Sequence, residues 1–352
     1  METSMNASRD LEFAIKWNRF ILRLIGVWPG QENFKNDKWK LKFNFILATL
    51  FMLTFITIPQ TISLIMVWGN LDLIVENLLM ANIPVTTALL KLLVVWHNGK
   101  VLKLLFIHVI EDWMNPKSER EREVMLRNAK IARILCISCF CIIQTALTAY
   151  ITISIIVNSQ SAKTRSNDMQ QIFCQAYYPY DAGKSPYFEL TYLGQYIATL
   201  YASFSYSGID TFLAMLILHL CAQFKNLCFA LKHLVSEVER EEKVTFREEL
   251  AIIISKHERL LRFAASIEES FNLMLLVQML ACSIQFCFQG FQIMSVLNRE
   301  RGQLSFSQLA FLIVYVLSVG SQLFVYCYVG QNLITESTNL SYAAYQCDWY
   351  KL

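Results

Sequence analysis

Apolar positions run in six long stretches, roughly residues 41–67, 71–96, 131–157, 190–220, 271–297 and 304–329. Each meets or exceeds the about 20 residues that carry an α-helix across a bilayer. The stretches are continuous rather than alternating, so they do not read as the short dyad-patterned strands of a membrane barrel. The pattern predicts an all-α polytopic membrane protein with six transmembrane helices.

Two further stretches carry a helical period outside these spans. Phe13, Trp17, Phe20, Ile21, Leu24, Ile25 and Trp28 recur at spacings of three and four, with Lys16, Arg19 and Arg23 among them. This predicts an amphipathic helix ending near Trp28-Pro29-Gly30, either lying on the inner membrane surface or packed on the cytoplasmic end of the bundle. The fourth span runs on through Gln223, Leu227, Leu231 and Leu234 to a charged stretch at 237–243. Thr245 with Glu248 then makes a capping box, and Leu250, Ile253, His257, Leu260, Ala264 and Ile267 form an apolar stripe leading into the fifth span. With no Pro or Gly from Ile209 to Gln289, spans four and five are expected to project inward as long helix extensions. An apolar stripe outside lipid has to be covered, which predicts a helical assembly region; a self-contained hairpin is the alternative.

Charge orients the chain, because basic residues are retained on the cytoplasmic side. Up to Lys42 there are eight Lys and Arg; the 2–3 and 4–5 loops hold seven and eight. On the other side the 1–2 turn Trp68-Gly69-Asn70 holds none, the 3–4 loop three and the 5–6 turn two. Twenty-three against five places the amino terminus in the cytoplasm. The glycosylation triplets Asn6-Ala7-Ser8 and Asn339-Leu340-Ser341 then fall on the side where that modification does not occur. No cleavable leader is expected, since about forty mixed residues precede the first apolar run.

Composition narrows the function. Of 352 residues, 55 % are apolar and the net charge is only +3, which leaves no large soluble catalytic domain and gives no sign of nucleic acid. Six of the ten cysteines, Cys136, Cys139, Cys141, Cys282, Cys287 and Cys327, lie within spans as small apolar residues, and no metal or disulfide framework is expected. The histidines lack metalloprotease spacing. Gly183-Lys184-Ser185 ends like a phosphate loop, but Tyr178 stands where the first glycine belongs. An enzyme is not expected, nor any cofactor.

The carboxy-terminal residues carry the most specific pattern. Phe324, Tyr326, Cys327, Tyr328, Gly330, Leu333, Glu336, Ser337, Leu340, Ala343, Ala344, Tyr345, Trp349 and Tyr350 resemble, in order and spacing, the tail signature of insect odorant receptors. Pro179-Tyr180-Asp181 and Ser185-Pro186-Tyr187 are similar to the stretch ahead of that family's fourth span. The resemblance implies the ligand-binding subunit of an odorant-gated non-selective cation channel in the plasma membrane of olfactory neurons. It implies a heterotetramer with a shared co-receptor subunit, a small volatile apolar ligand and no required G protein. Family members have seven helices and continue past Trp349-Tyr350 into a pore-lining one, whereas this sequence stops at Leu352. A truncated product that keeps the pocket and does not conduct is therefore an alternative expectation.

On that frame the chain divides into a cytoplasmic segment at 1–40, spans one to four at 41–220 and a cytoplasmic anchor at 221–270. Spans five and six occupy 271–330, and a tail at 331–352 starts the seventh segment. The family pocket lies among spans two, three, four and six. The expected lining is Met80 and Pro84 with Asn77 and Asn82, then Thr145, Thr148 and Thr152, with Tyr150 off that line. Tyr192, Gln195, Tyr196 and Thr199 follow in span four, and Phe306, Leu309 and Ile313 in span six. Each of these polar faces also suits an interhelical hydrogen-bond surface. Assembly and gating contacts are expected at Leu250, Ile253, His257, Tyr328, Ser337, Tyr345 and Trp349. Gln278, Gln285, Gln289 and Gln292 share one stripe that should face the bundle, as gating contact or interhelical glue. Asp210 is expected near the inner interface without a functional role.

A G-protein-coupled receptor would need the opposite orientation, an acidic-Arg-aromatic triplet closing span three and prolines beyond Pro186, none of which is present. A transporter would show inverted repeats or broken helices. A gustatory receptor of the same superfamily is the nearest alternative, and the tail favours the odorant branch.

Overall fold

The structure, a computed structural model, describes residues 2–30, 35–115, 118–164, 174, 176–240, 245–298 and 306–347. Nearly all of them are helical and none is in a strand. The helices are α1 (Glu2–Leu24), α2 (Lys35–Met52), α3 (Ile58–Met66), α4 (Leu71–Asn77), α5 (Ile83–His97), α6 (Gly99–Met114), α7 (Glu119–Thr164), α8 (Tyr187–Arg240), α9 (Phe246–Asn298) and α10 (Phe306–Tyr345). Five spans among the described residues are long and apolar enough to cross a bilayer, or six if α5 and α6, which meet at a 73° bend, count as one. We take the second crossing as 71–97, with α6 folded aside across the basic end of the bundle.

α2 passes into α3, and α4 into α5, through single π turns at Leu53–Thr57 and Leu78–Asn82. Each π turn ends two residues before a proline, Pro59 or Pro84. Proline has no N–H to give the preceding turn, and a widened turn accommodates it. Carbonyls of those turns are capped from elsewhere: Tyr178 donates its hydroxyl to Phe55 O at 2.6 Å, and Tyr315 donates to Leu79 O at 2.7 Å. Local sequence thus creates two polar openings, and two distant tyrosines fill them.

α8 is the central helix. Its most apolar window is 72 % buried, against 17–39 % in the other spans. Small residues let neighbours close on it: a Cβ on Gly194 would collide with the Phe55 ring, and one on Gly208 with Ile21. α1 packs on this core through Ala14, Ile15, Ile21, Leu22 and Ile25, while Phe13, Trp17 and Phe20 stay exposed. α1 therefore packs one face on the bundle and leaves its aromatic face uncovered.

The 2–3 segment, expected as a loop, contains α6. Leu102, Leu105, Phe106, Val109 and Trp113 are buried along one face of it, and Phe106 meets Trp28 edge-on at 4.7 Å. The spacing of these five is helical, but Lys100 and Lys103 open the segment and Glu111 and Asp112 close it, so it reads as a connection between spans. Asp112 on α6 contacts His219 Nε2 of α8 at 3.0 Å and also pairs with Arg259 of α9. Asp10–Arg122 at 2.6 Å ties α1 to α7, and Lys225–Glu336 at 2.8 Å ties α8 to α10.

Asp210, expected near the inner interface, is 1 % exposed in the middle of α8 and pairs with Lys91 of α5, whose Nζ donates to both carboxylate oxygens at 2.6 and 2.8 Å. Tyr326 of α10 donates its hydroxyl to the same carboxylate. Lys91 also lies over the Tyr206 ring at 3.9 Å, and Tyr206 accepts from Gln278 Nε2 of α9 at 2.7 Å. Lys91 is the one basic residue inside the second apolar stretch, and counting charges in the loops passes over it. Removing one partner of such a pair leaves an uncompensated buried charge, which costs about 3–5 kcal/mol, whereas removing both is far milder. Lys91→Met is expected to lower thermal stability in detergent sharply, and Lys91→Met with Asp210→Leu to recover most of the loss. Equal losses in the single and double variants would show that the pair does not hold the bundle.

Candidate functional site: a cavity among the spans

A cavity of about 140 Å³ lies between α5, α7, α8, α9 and α10. Pro84 and Val85 come from α5; Ile143, Ala146, Leu147 and Tyr150 from α7; Thr199, Ala202, Ser203 and Tyr206 from α8; Gln285 from α9; Tyr315, Ser318 and Val319 from α10. Cys174 closes it from the α7–α8 connection. On α7 and α8 the lining residues recur at steps of three, four and one, the repeat of one helix face. No charged residue lines the wall. A neutral, mostly apolar molecule that leaves water for this space gains about 25 cal/mol per Å² buried, and an ion would find nothing to offset its desolvation.

The wall's hydroxyls are largely committed. Thr199 donates to Gln195 O at 2.7 Å, Ser203 to Leu200 O at 2.9 Å and Ser318 to Val314 O at 2.9 Å, each within its own helix. Ser203 also accepts from Gln144 Nε2 at 2.9 Å. Tyr315 is held by Leu79 O, as above. Such back-bonding hides the polar atom and turns the side chain's carbon outward. Cys174 is fixed by Gln195, whose amide exchanges hydrogen bonds with the Cys174 backbone N–H and carbonyl at 3.4 and 3.0 Å and also donates to the Tyr178 hydroxyl at 2.9 Å.

Of the residues expected from sequence to line a pocket, the structure brings Pro84 and Thr199 together at this wall, along with Tyr150. It places the others elsewhere. Thr145, Thr148 and Thr152 are exposed on the outer face of α7, their hydroxyls donating to Cys141 O, Thr145 O and Thr148 O. The cavity meets the next face round, which is apolar and so carries no polar signal in the sequence. Tyr192 is half-buried against Phe188 and the core, Tyr196 is 39 % exposed and Ile313 points outward. Gln195 secures the α7–α8 connection instead of lining the wall. The side chains of Met80, Phe306 and Leu309 lie outside the described residues. Tyr206, Gln285 and Tyr315 were not expected as lining; the glutamine stripe on α9 was the one available pointer, and Gln278, Gln285 and Gln289 are indeed buried in the bundle.

The sequence profile described as 7tm Odorant receptor matches residues 70–352. The chain belongs to the odorant receptor family. Odorant receptor 13a of Drosophila melanogaster is 33 % identical over 178 residues, covering 49 % of this chain and 40 % of that protein. The odorant receptor coreceptor of Ooceraea biroi is 26 % identical over 111 residues, 32 % of this chain and 22 % of the relative. These matches span well under half the length of the relatives. Among solved structures, the insect olfactory receptor OR5 from Machilis hrabei superposes with a TM-score of 0.76 at 15 % identity, covering 94 % of this chain and 82 % of that one. The same receptor in complex with eugenol superposes equally well. At that identity the likeness speaks for the fold alone, that of an all-α, multi-pass membrane protein.

In this odorant receptor the α8–α9 extensions pack on each other at the basic end. Glu248 accepts from the Thr245 backbone N–H at 3.1 Å, the capping box read from sequence, and that hydrogen bond holds its carboxyl below the usual carboxylate range. Ile253 is buried, Leu250 packs against the core and His257 lies 6.4 Å ring to ring from Phe224 of α8. The stripe is therefore covered within the chain, while Ile252, Ile254 and Leu261 are exposed on the other side of α9. Tyr328 stacks on Phe324 at 5.9 Å, Ser337 and Tyr345 are exposed, and Trp349 lies outside the described residues.

The cavity generates a direct test. Ala146→Phe places a ring in a space of about 140 Å³ and is expected to abolish ligand-induced thermal stabilisation. Thr148→Val, on the outer face, is expected to leave it unchanged and to alter stability by no more than about 0.5 kcal/mol. The opposite pattern would place the ligand outside the cavity.

Proposed function

We propose that this chain is the odorant-binding subunit of a heteromeric, odorant-gated non-selective cation channel, assembled with a co-receptor subunit in the plasma membrane of olfactory neurons. The observation that carries the reading is the uncharged cavity lined by five helices of a membrane bundle. Its carbon-rich wall suits a small volatile molecule held by burial and dispersion. Membership of the odorant receptor family supports detection rather than catalysis as the task. Similarity both to odorant receptors and to co-receptors supports assembly between the two kinds of subunit.

The amino terminus lies in the cytoplasm in this reading, supported by the basic residues gathered at one end of the bundle. The cavity is then reached from the outer half of the membrane or from lipid. The ion-paired basic end faces the cytosol, where the exposed side of α9 is available to a neighbouring subunit.

Co-expression with a co-receptor in cells that lack both subunits, followed by a broad panel of volatile molecules, tests the assignment. A ligand-evoked inward cation current is expected only when both subunits are present, and Ala146→Phe should remove it. A current independent of the co-receptor, or untouched by that substitution, would overturn the assignment. An epitope on the amino terminus should be unstained in intact cells and stained after permeabilisation.

A further inference from the structure

Gln285 is the exception to the pattern of committed polar groups around the cavity. It is 1 % exposed and lines the wall, yet its Oε1 has no hydrogen-bond partner among the described residues. A buried amide oxygen left without a donor is costly, and such atoms are rare unless something else completes them. No lining hydroxyl reaches this oxygen, and those of Thr199, Ser203, Ser318 and Tyr315 are given to backbone carbonyls. The wall therefore offers a strong acceptor and a large carbon surface.

We propose that Gln285 is a specificity-determining residue, selecting small neutral ligands that carry one hydroxyl group over isosteric ligands that only accept hydrogen bonds. The inference rests on the cavity being the ligand site. Size follows from the volume: about 140 Å³ is close to the roughly 150 Å³ cavity that takes up a benzene ring. Charge is excluded by the absence of any ionic side chain in the wall. The ligand class is thus a monohydroxylated molecule of about one-ring bulk, its hydroxyl donating to Gln285 Oε1 and its carbon body against Ile143, Ala146, Leu147 and Val319.

The thrifty choice of probes is a pair of isomers, benzyl alcohol and anisole, which share a formula and differ in having or lacking a hydroxyl donor. Each is titrated by saturation-transfer NMR against the chain in lipid nanodiscs, with empty nanodiscs subtracted for partitioning. The wild-type chain is expected to bind benzyl alcohol roughly tenfold tighter than anisole, the difference that one net hydrogen bond makes. In Gln285→Met that preference should vanish with anisole binding retained, which also verifies that the variant is folded. Equal affinity for the two isomers in the wild type, a preference for anisole, or a benzyl alcohol preference that survives Gln285→Met would each overturn the role of Gln285 while leaving the cavity as the site. Binding of neither isomer would overturn the inference and the ligand-site reading together.

Discussion

A charged lysine and a charged aspartate inside an apolar helix bundle must find each other, and this requirement organises the molecule. Lys91 and Asp210 are both 1 % exposed and lie on different helices, α5 and α8. Neither could remain ionised alone in that setting. Their contact fixes the rotation and height of α5 against α8, and Tyr326 adds α10 to the same carboxylate. Tyr206 under the ammonium brings in α9 through Gln278. One polar cluster thereby sets the mutual positions of four helices that dispersion forces alone would leave free to slide or rotate.

The cavity sits against this cluster, with Tyr206 belonging to both. The arrangement separates two kinds of environment along one helix. On one side of Tyr206 full charges are paired. On the other, the hydroxyls of Thr199 and Ser203 are turned into their own backbone and the wall presents carbon. A bound molecule of suitable shape meets a rigid, pre-formed surface, so little of its binding energy goes into ordering side chains. The prolines contribute to this rigidity indirectly. Pro84 forces a widened turn in the second crossing, and Tyr315, a cavity residue, is anchored by the carbonyl that turn releases.

At the basic end the same logic is repeated with buried carboxylates whose Lys and Arg partners are exposed. Asp112 gathers His219 and Arg259, Asp10 meets Arg122, and Glu336 meets Lys225. Each pair joins a different couple of helices, so the long extensions of α8 and α9 are held to α6 and α10, and α1 is held to α7. Because these groups are nearer water, each pair contributes less than the buried one. Their effect is to align helix ends that carry the chain's basic residues on one side of the bundle.

Much of the architecture was legible from residue order. The crossings are set by run length, since some twenty apolar residues have no alternative to a helix in lipid. The Thr245–Glu248 cap and the amphipathic face of α1 follow from local spacing, and both helices form where that spacing puts them. The tail pattern from Phe324 to Tyr350 was specific enough to indicate the family. Helix α6 was hidden because Lys100 and Lys103 at its start and Glu111 and Asp112 at its end mark the segment as a connection between spans. The cavity was less visible still. Inside a membrane bundle, lipid-facing and core-facing positions can both be apolar, so periodicity does not say which face of α7 turns inward; the polar threonines proved to be on the outer one. Gln285 read as one member of a glutamine stripe facing the bundle, and its place in the cavity, like the partner of Lys91, emerged only once α9 and α5 were docked on α8. Sequence determined which segments cross and where they begin. Only tertiary packing decided how each helix is rotated, because rotation is chosen by pairings between residues as much as 236 positions apart, as Tyr315 and Leu79 are, with Lys91 and Asp210 foremost among them.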